Sequence, residues 1–468
     1  MPLVAGVDSS TSACKVEVRD VDTGELVSSG RAAHPATTPP RSEQHPGDWW
    51  RAFEAACSEA GVLGAHRPAA ISIAGQQHGL VVVDEGGEVL RPAKLWNDTE
   101  SAPDAAALVD ALGATAWAAA CGSVPVASFT ITKLRWLRRV EPDVFGRVAR
   151  VLLPHDWLTG RLTGRATTDR GDASGTGWWS PREERYRHDL LALVDDGVAW
   201  ADLLPEVLAP DAPAGEWEGM VVGPGTGDNM AAALGLGLRT GDLALSLGTS
   251  GTAFSVRDAP TGDATGAVAG FADATGRFLP LVCTLNATKV TDAVARLLGV
   301  DAAGLDALAL SAPAGGGDRP VLVPHLDGER TPNRPTATGT LAGIRSDVTR
   351  PQLARAAFEG VACNLLAGAE ALGPPERVLL VGGGGRSAAY RQVVADLTGC
   401  RVVVPEAEEL VARGAAVQAA AVLTGRPFDE ITEAWGGGWT TTTVDPDPRT
   451  DGAAIRAAYD HALRETAR

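Results

Sequence analysis

One stretch of this chain is written twice. Asp8-Ser-Ser-Thr-Ser-Ala-Cys-Lys-Val-Glu-Val-Arg-Asp20 aligns without gaps on Ser246-Leu-Gly-Thr-Ser-Gly-Thr-Ala-Phe-Ser-Val-Arg-Asp258, at an offset of 238 residues in a chain of 468. Thr11 and Ser12 match Thr249 and Ser250, and Val18-Arg19-Asp20 match Val256-Arg257-Asp258. In each copy an apolar strand, Leu3 to Val7 or Leu243 to Leu247, enters a turn of small polar residues and a second strand returns. On the first return strand Cys14, Val16 and Val18 alternate with Lys15, Glu17 and Arg19, the period of two that marks a half-buried strand. Asp22-Thr23-Gly24 and Pro260-Thr261-Gly262 then mark the next turns. A chain longer than one core usually supports, made of two such halves, is expected to form two α/β domains facing a cleft. The boundary falls near residue 237, giving domains 1–237 and 238–468.

Helical patterns follow each hairpin. Asp48 can cap a helix from Trp49 to Ala60 that Gly61 ends. Thr349 can cap a longer one, with Pro351 in its first turn, running to Leu372. Arg377 to Val381 reads as a strand feeding Gly382-Gly-Gly-Gly385, with a helix from Ser387 to Leu397 and a strand from Arg401 to Val404.

Charge and composition exclude several roles. A formal net charge of -17 opposes binding to nucleic acid or anionic membrane, both of which need basic surface. No apolar run approaches the ~18 to 20 residues of a bilayer span, and Asp8 comes too early for a signal peptide. Six scattered cysteines without a C-x-x-C pair argue against a zinc or disulfide framework and point to the cytoplasm. None of the four lysines follows a glycine, so the P-loop pattern G-x-x-x-x-G-K-[ST] is absent. Any ATP must be held another way, by backbone N–H groups and a metal ion.

Three short turns follow strands: Asp8 to Ser12, Gly248 to Thr252, and Gly382 to Gly385. Their backbone N–H groups can point at anionic oxygens, and their small side chains permit close approach. On sequence alone Asp8 either caps its turn or holds the waters of a Mg²⁺ ion. In Gly223-Pro-Gly225-Thr-Gly227-Asp228-Asn229, Asp228 stands at a helix start, as a cap or as a proton acceptor. Gly75-Gln76-Gln77-His78-Gly79 lies between two buried strands, and its Gln and His side chains suit hydroxyl recognition. Neither a G-x-S-x-G elbow nor an H-E-x-x-H zinc motif occurs.

The whole chain resembles the FGGY carbohydrate kinases. The stretches that carry the resemblance run in order: Gly6-Val-Asp8-Ser-Ser-Thr11, Ser42-Glu-Gln-His-Pro46, Gly75-Gln-Gln-His-Gly79, Leu95-Trp-Asn-Asp98, Phe129-Thr-Ile-Thr-Lys133, Leu153-Pro-His-Asp-Trp157, Asp172-Ala-Ser-Gly-Thr176, Gly227-Asp228-Asn229, Ser246-Leu-Gly-Thr-Ser-Gly251, Gly328-Glu-Arg-Thr-Pro332 and Gly382-Gly-Gly-Gly-Arg-Ser387. The resemblance implies two ribonuclease-H-like domains of the actin-like ATPase fold, binding ATP, Mg²⁺ and a ketopentose. D-xylulose phosphorylated at its C5 hydroxyl is the expected reaction. Ribulose, fuculose, gluconate or glycerol are the alternative substrates, and a non-enzymatic actin-like protein is the rival of another class. By resemblance Asp228 is the proton acceptor and Asp8 supports metal and phosphates. Gln77, His78, Asn97 and Asp98 would face the sugar, and Thr11, Gly248, Thr249, Gly383 and Gly384 the nucleotide. A homodimer is the expected assembly. Two positions depart from the family pattern: Ser10 replaces the glycine of D-x-G-T, and Gln77 stands where Met commonly precedes His.

Overall fold

The computed structural model describes residues 2–315, 319–405, 409–436 and 441–466. Two compact units divide the chain: residues 1–238, 257–279 and 407–438 form the first, and residues 239–256, 280–406 and 439–468 the second.

In the first unit the expected hairpin pairs Leu3–Ser9 with Ala13–Asp20, antiparallel, and Leu26–Ala33 adds to its outer edge. On the other side Ala70–Gly75 runs parallel to Leu3–Ser9, followed by Met220–Val222 and Gly215–Trp217, while Thr226–Gly227 pairs with the end of Ala70–Gly75. The second unit repeats this order. Its sheet runs Phe278–Thr284, Gly251–Ser255, Asp242–Leu247, Arg377–Val381, Val402–Pro405 and Thr441–Val444. Asp242–Leu247 is antiparallel to Gly251–Ser255 and parallel to Arg377–Val381. Three antiparallel strands followed by parallel neighbours is the ribonuclease-H-like arrangement, present here twice. The duplicated turns differ in length. Ser10 to Ala13 separate the last pair of the first hairpin, Ser9 and Cys14, whereas only Gly248 to Ser250 separate Leu247 and Gly251.

Local signals set most boundaries. Arg377–Val381 spans the residues expected, and Ser387 caps the helix Ala388–Thr398 through its hydroxyl, which accepts from Tyr390 N–H. Thr349 and Gln352 form a capping box ahead of Arg350–Ala369, which ends in a 3₁₀ turn at Glu370–Leu372. The first helix begins earlier than expected. It spans Pro46–Ala60, capped by the His45 ring accepting from Gly47 N–H, so Asp48 lies in the first turn and complements the helix dipole there. The alternation on Ala13–Asp20 also understates its burial. Glu17 is buried, because the helix Pro46–Ala60 covers one face of the sheet and Leu410–Thr424 the other.

That second helix fits only because three glycines let backbones touch. A Cβ at Gly6 would lie 1.9 Å from Ala412 O, one at Gly235 2.0 Å from Leu410 O, and one at Gly414 1.8 Å from Ala231 O. Gly235 lies in the last turn of the helix Asp228–Leu236, so Leu410–Thr424 is wedged between that helix and the central strand. Gln418 adds polar ties: it accepts from Ser72 Oγ at 2.6 Å and donates to Gly225 O at 3.1 Å. Gly414→Ala should therefore destabilise the protein by roughly 1–3 kcal/mol or more through overpacking. Gly146→Ala, whose new methyl meets its nearest neighbour at 3.5 Å, should cost much less. Chemical denaturation of both variants checks this; equal midpoints would refute the tight crossing.

Candidate active site

Asp8 stands near the end of the central strand, beside Ala74 on the parallel neighbour and opposite Lys15 on the hairpin. The Lys15 ammonium lies 3.2 Å from Asp8 Oδ2 and 2.6 Å from Glu409. The other oxygen, Oδ1, is buried without a protein partner. Burial raises the Asp8 pKa to about 6, with Lys15 holding it back. The following turn closes without a left-handed residue. Ser10 N–H and Oγ both donate to Ala13 O, so the hydroxyl tightens the loop where the family has glycine. Thr11 Oγ1 donates to Gln76 Oε1 at 3.1 Å and accepts from the Trp96 indole at 2.9 Å, joining this turn to the Gln76-Gln77-His78 turn.

Asp228 is the first residue of the helix Asp228–Leu236, with Gly227 as its cap. The backbone N–H and the side-chain amide of Asn229 donate to Asp228 Oδ1 at 2.8 and 3.0 Å, and the same amide donates to Gln77 Oε1 at 2.7 Å. Asp228 keeps some accessible surface yet is deeply set among protein atoms. Burial, then the charges of Asp8 and Asp172, raise its pKa to about 7 against the pull of Asn229. A carboxylate poised there can both bind a hydroxyl and take its proton.

Gln77 is buried against Gly227, where a Cβ would meet its Cγ at 2.7 Å, and its Nε2 has no protein acceptor. His78 adopts φ of 64°, a left-handed conformation unusual for a side chain of this size. Its ring stacks on Phe129 with centroids 5.2 Å apart and tilts toward Phe271 at 5.4 Å. Gly175 makes room for it, since a Cβ there would lie 2.2 Å from His78 Cε1. Lys133 donates to the carbonyls of Ala127, Ser128 and Phe129, and burial lowers its pKa to about 7. Lys133 thus fixes the loop that carries Phe129.

The Leu95-Trp96-Asn97-Asp98 segment splits in two. Trp96 is exposed, and Asn97 Oδ1 has no protein donor. Asp98 is 0% exposed, and its oxygens accept from Ser42 N–H, Lys94 and Glu100 N–H. Glu43, Asp98 and Glu100 converge closely enough to suggest a cation site, but the Lys94 ammonium is already paired with all three.

In the second unit the two glycine turns pack on each other. A Cβ at Gly382 would lie 2.8 Å from Leu247 O, and one at Gly384 2.6 Å from Leu247 Cβ, whereas Gly383 faces open space. Gly248 O and Thr249 O accept from Thr288 and Ala287 N–H, which anchors the hairpin turn on the helix Thr288–Leu298. Gly248, Thr249 and Gly383 are thus brought together with accessible surface, whereas Gly384 is buried against Leu247 and supports the turn. Lys15, Phe129, Phe271 and Asn229 escaped the sequence reading as site components. Only Asn229 carried a local signal, its place next to Asp228.

Residues 3–235 match the FGGY family of carbohydrate kinases, N-terminal domain, and residues 243–423 match the C-terminal domain of the same family. Xylulose kinase of Streptomyces coelicolor is 48% identical over 449 residues, which cover 93% of this chain and 91% of that protein. Xylulose kinase of Escherichia coli is 35% identical, with 84% of each chain covered. The crystal structure of xylulose kinase from Bifidobacterium adolescentis aligns with a TM-score of 0.88 at 40% identity, covering 99% of both chains.

The raised Asp228 pKa has a stability signature independent of any reaction. Between the ordinary aspartate value and about 7 the folded state binds more protons at this site than the unfolded one, so its contribution to stability falls as pH rises through that window. Asp228→Asn removes this term. Its unfolding free energy should match wild type near pH 4 and exceed it by on the order of 2 kcal/mol at pH 8, after allowance for the solvent that reaches the carboxylate. Denaturation at the two pH values checks this; a gap that does not change with pH would refute the raised pKa.

Proposed function

Because this chain belongs to the FGGY family of carbohydrate kinases, we propose that it transfers the γ-phosphoryl group of ATP to the C5 hydroxyl of D-xylulose, giving D-xylulose 5-phosphate and ADP. The observation that carries the chemistry is Asp228, whose pKa of about 7 suits a proton acceptor at neutral pH. The choice of sugar rests on the xylulose kinases similar to this chain along almost its full length.

Gln77, His78 and Asn97 hold the ketopentose. Gln77 Nε2 and Asn97 Oδ1, both lacking protein partners, offer a donor and an acceptor to its hydroxyls. Asp98 keeps the segment in place and is reassigned from sugar contact to support of the loop. The hydrogen bonds from Asn229 fall on Asp228 Oδ1, which leaves Oδ2 to accept the hydroxyl proton as the new P–O bond forms and the bond to ADP breaks. Phosphoryl transfer asks mainly for positioning and charge neutralisation. Gly248, Thr249 and Gly383 bind the nucleotide through backbone N–H groups, with the buried Gly384 holding the turn in place, and Thr11 supports the Asp8 turn. Asp8 fits a Mg²⁺ site, because its Oδ1 is a buried carboxylate oxygen without a protein donor and Mg²⁺ takes one or two carboxylates together with waters and phosphates. When bound, the ion would neutralise phosphate charge. The free cysteines suit the cytoplasm as the site of action, and no described helix is long and apolar enough to cross a membrane.

The test is ATP consumption across D-xylulose, D-ribulose, fuculose, gluconate and glycerol. D-xylulose should give the highest kcat/KM, and a higher value for any other substrate would overturn the assignment. Asp228→Asn should lose about 10²-fold or more in kcat while the protein stays folded. In the wild type kcat/KM for the sugar should fall about tenfold per pH unit below about 7, as the base becomes protonated. His78→Ala should weaken D-xylulose use far more than basal ATP hydrolysis, and equal losses would make the ring purely structural.

A further inference from the structure

Behind Asp228 and the Gln77-His78 turn lies a buried group of charges that the reaction described above does not use. His155, fully buried in the helix Pro154–Thr163, has its Nδ1 at 3.0 Å from Asp172 Oδ2 and its Nε2 at 3.1 Å from Asp156 Oδ1 and 3.6 Å from Asp169 Oδ1. Nδ1 is hydrogen-bonded to Asp172, whereas Nε2 makes no hydrogen bond and faces Asp156 and Asp169 as an ion pair. Burial alone would lower its pKa, but Asp156, Asp172 and Asp169 together push it to about 9. His155 also lies flush against two backbones. A Cβ at Gly75 would meet His155 Cβ at 3.0 Å, and one at Gly225 would meet its Cδ2 at 2.6 Å. Gly75 leads into Gln76-Gln77-His78, and Gly225 leads into Asp228.

Asp169 carries the connection forward. It caps the helix Arg170–Ala173 by accepting from Gly171 and Asp172 N–H, and it also accepts from Thr226 Oγ1 at 2.7 Å. Thr226 and Gly227 pair with Ala74 and Gly75, and the next residue is Asp228. One side chain thus touches the backbone entering the sugar turn, the carboxylate that holds Thr226, and Asp172, whose charge bears on Asp228. We propose that His155 is a positioning residue of the transfer reaction, which, hydrogen-bonded to Asp172 and ion-paired with Asp156 and Asp169, fixes through Thr226 where Asp228 sits relative to the Gln77-His78 turn.

The inference rests on Asp228 being the base. Thr226→Val removes the hydroxyl that Asp169 holds at nearly unchanged volume, and Thr226→Ser restores it. The valine variant should lose about tenfold or more in kcat for D-xylulose with KM for ATP within twofold of wild type, and the serine variant should recover kcat to within about threefold. His155→Gln, which cannot form the ion pair, should show the same split between kcat and the ATP KM. A purely structural role would lower the denaturation midpoint and leave kcat of the folded enzyme intact. Thr226→Val with kcat within twofold of wild type overturns the proposal, whether or not His155→Gln folds, and so does a kcat loss that serine fails to rescue. Wild-type protein inactive on every sugar tested, or Asp228→Asn at full activity, would instead overturn the functional reading beneath it.

Discussion

Contact between bare backbones at Gly6, Gly235 and Gly414 is the constraint from which the first unit takes its shape. It lets one helix, Leu410–Thr424, lie against the central strand and the helix Asp228–Leu236 at once. The strand delivers Asp8 at one end, and the helix presents Asp228 at its start. Both carboxylates are therefore located against the same rod, and Gln418 ties that rod to Ser72 and Gly225 on the backbones between them. Any side chain at these glycines would have to displace main chain, which yields far less readily than the end of a flexible side chain.

The site and its surroundings treat buried charge in opposite ways. Lys94, 0% exposed, is matched by Glu43, Asp98 and Glu100, and its ammonium lies 3.9 Å from the centre of the Trp136 ring. In that cluster every carboxylate has a cationic partner, and it serves as scaffold. Among the described residues Asp228 has only the Asn229 donors for compensation, and it has Asp8 and Asp172 as repelling neighbours. A carboxylate left so poorly compensated is costly for folding, which marks it as functional more clearly than burial alone. Lys15 stands between these extremes, since it satisfies one oxygen of Asp8 and leaves the other without a protein partner.

Much of the fold was legible because short-range chemistry decides it. The repeated hairpins, the Thr349 and Ser387 caps and the strand Arg377–Val381 all follow from residue order within a few positions. The Asp48 cap failed because His45 and Pro46 supply an equally good start one turn earlier. What the sequence hides is long-range. Nothing local says that Leu410–Thr424 packs with strands four hundred residues before it, or that Glu17 is covered on the charged face of its strand. The same holds at the site. The small polar turns and the Gly227-Asp228-Asn229 step announce themselves, but the left-handed His78, its stack on Phe129 and the enclosure of His155 depend on residues brought together by the fold. Asp98 misleads because an acid in a polar loop looks available until its partners are seen.

The place of Leu410–Thr424 in the first unit also sets a timetable for the nascent chain. Ribosomes deliver about 5–20 residues per second. The helix therefore emerges about 10 to 40 s after the sheet on which it must rest is complete. Throughout that interval the face of the strand at Gly6, which pairs with Glu17 and Ser72, is uncovered, and its polar groups still face water. A chain of this design does not finish its halves one after the other during synthesis; the first half stays incomplete until a late stretch of the second has been made.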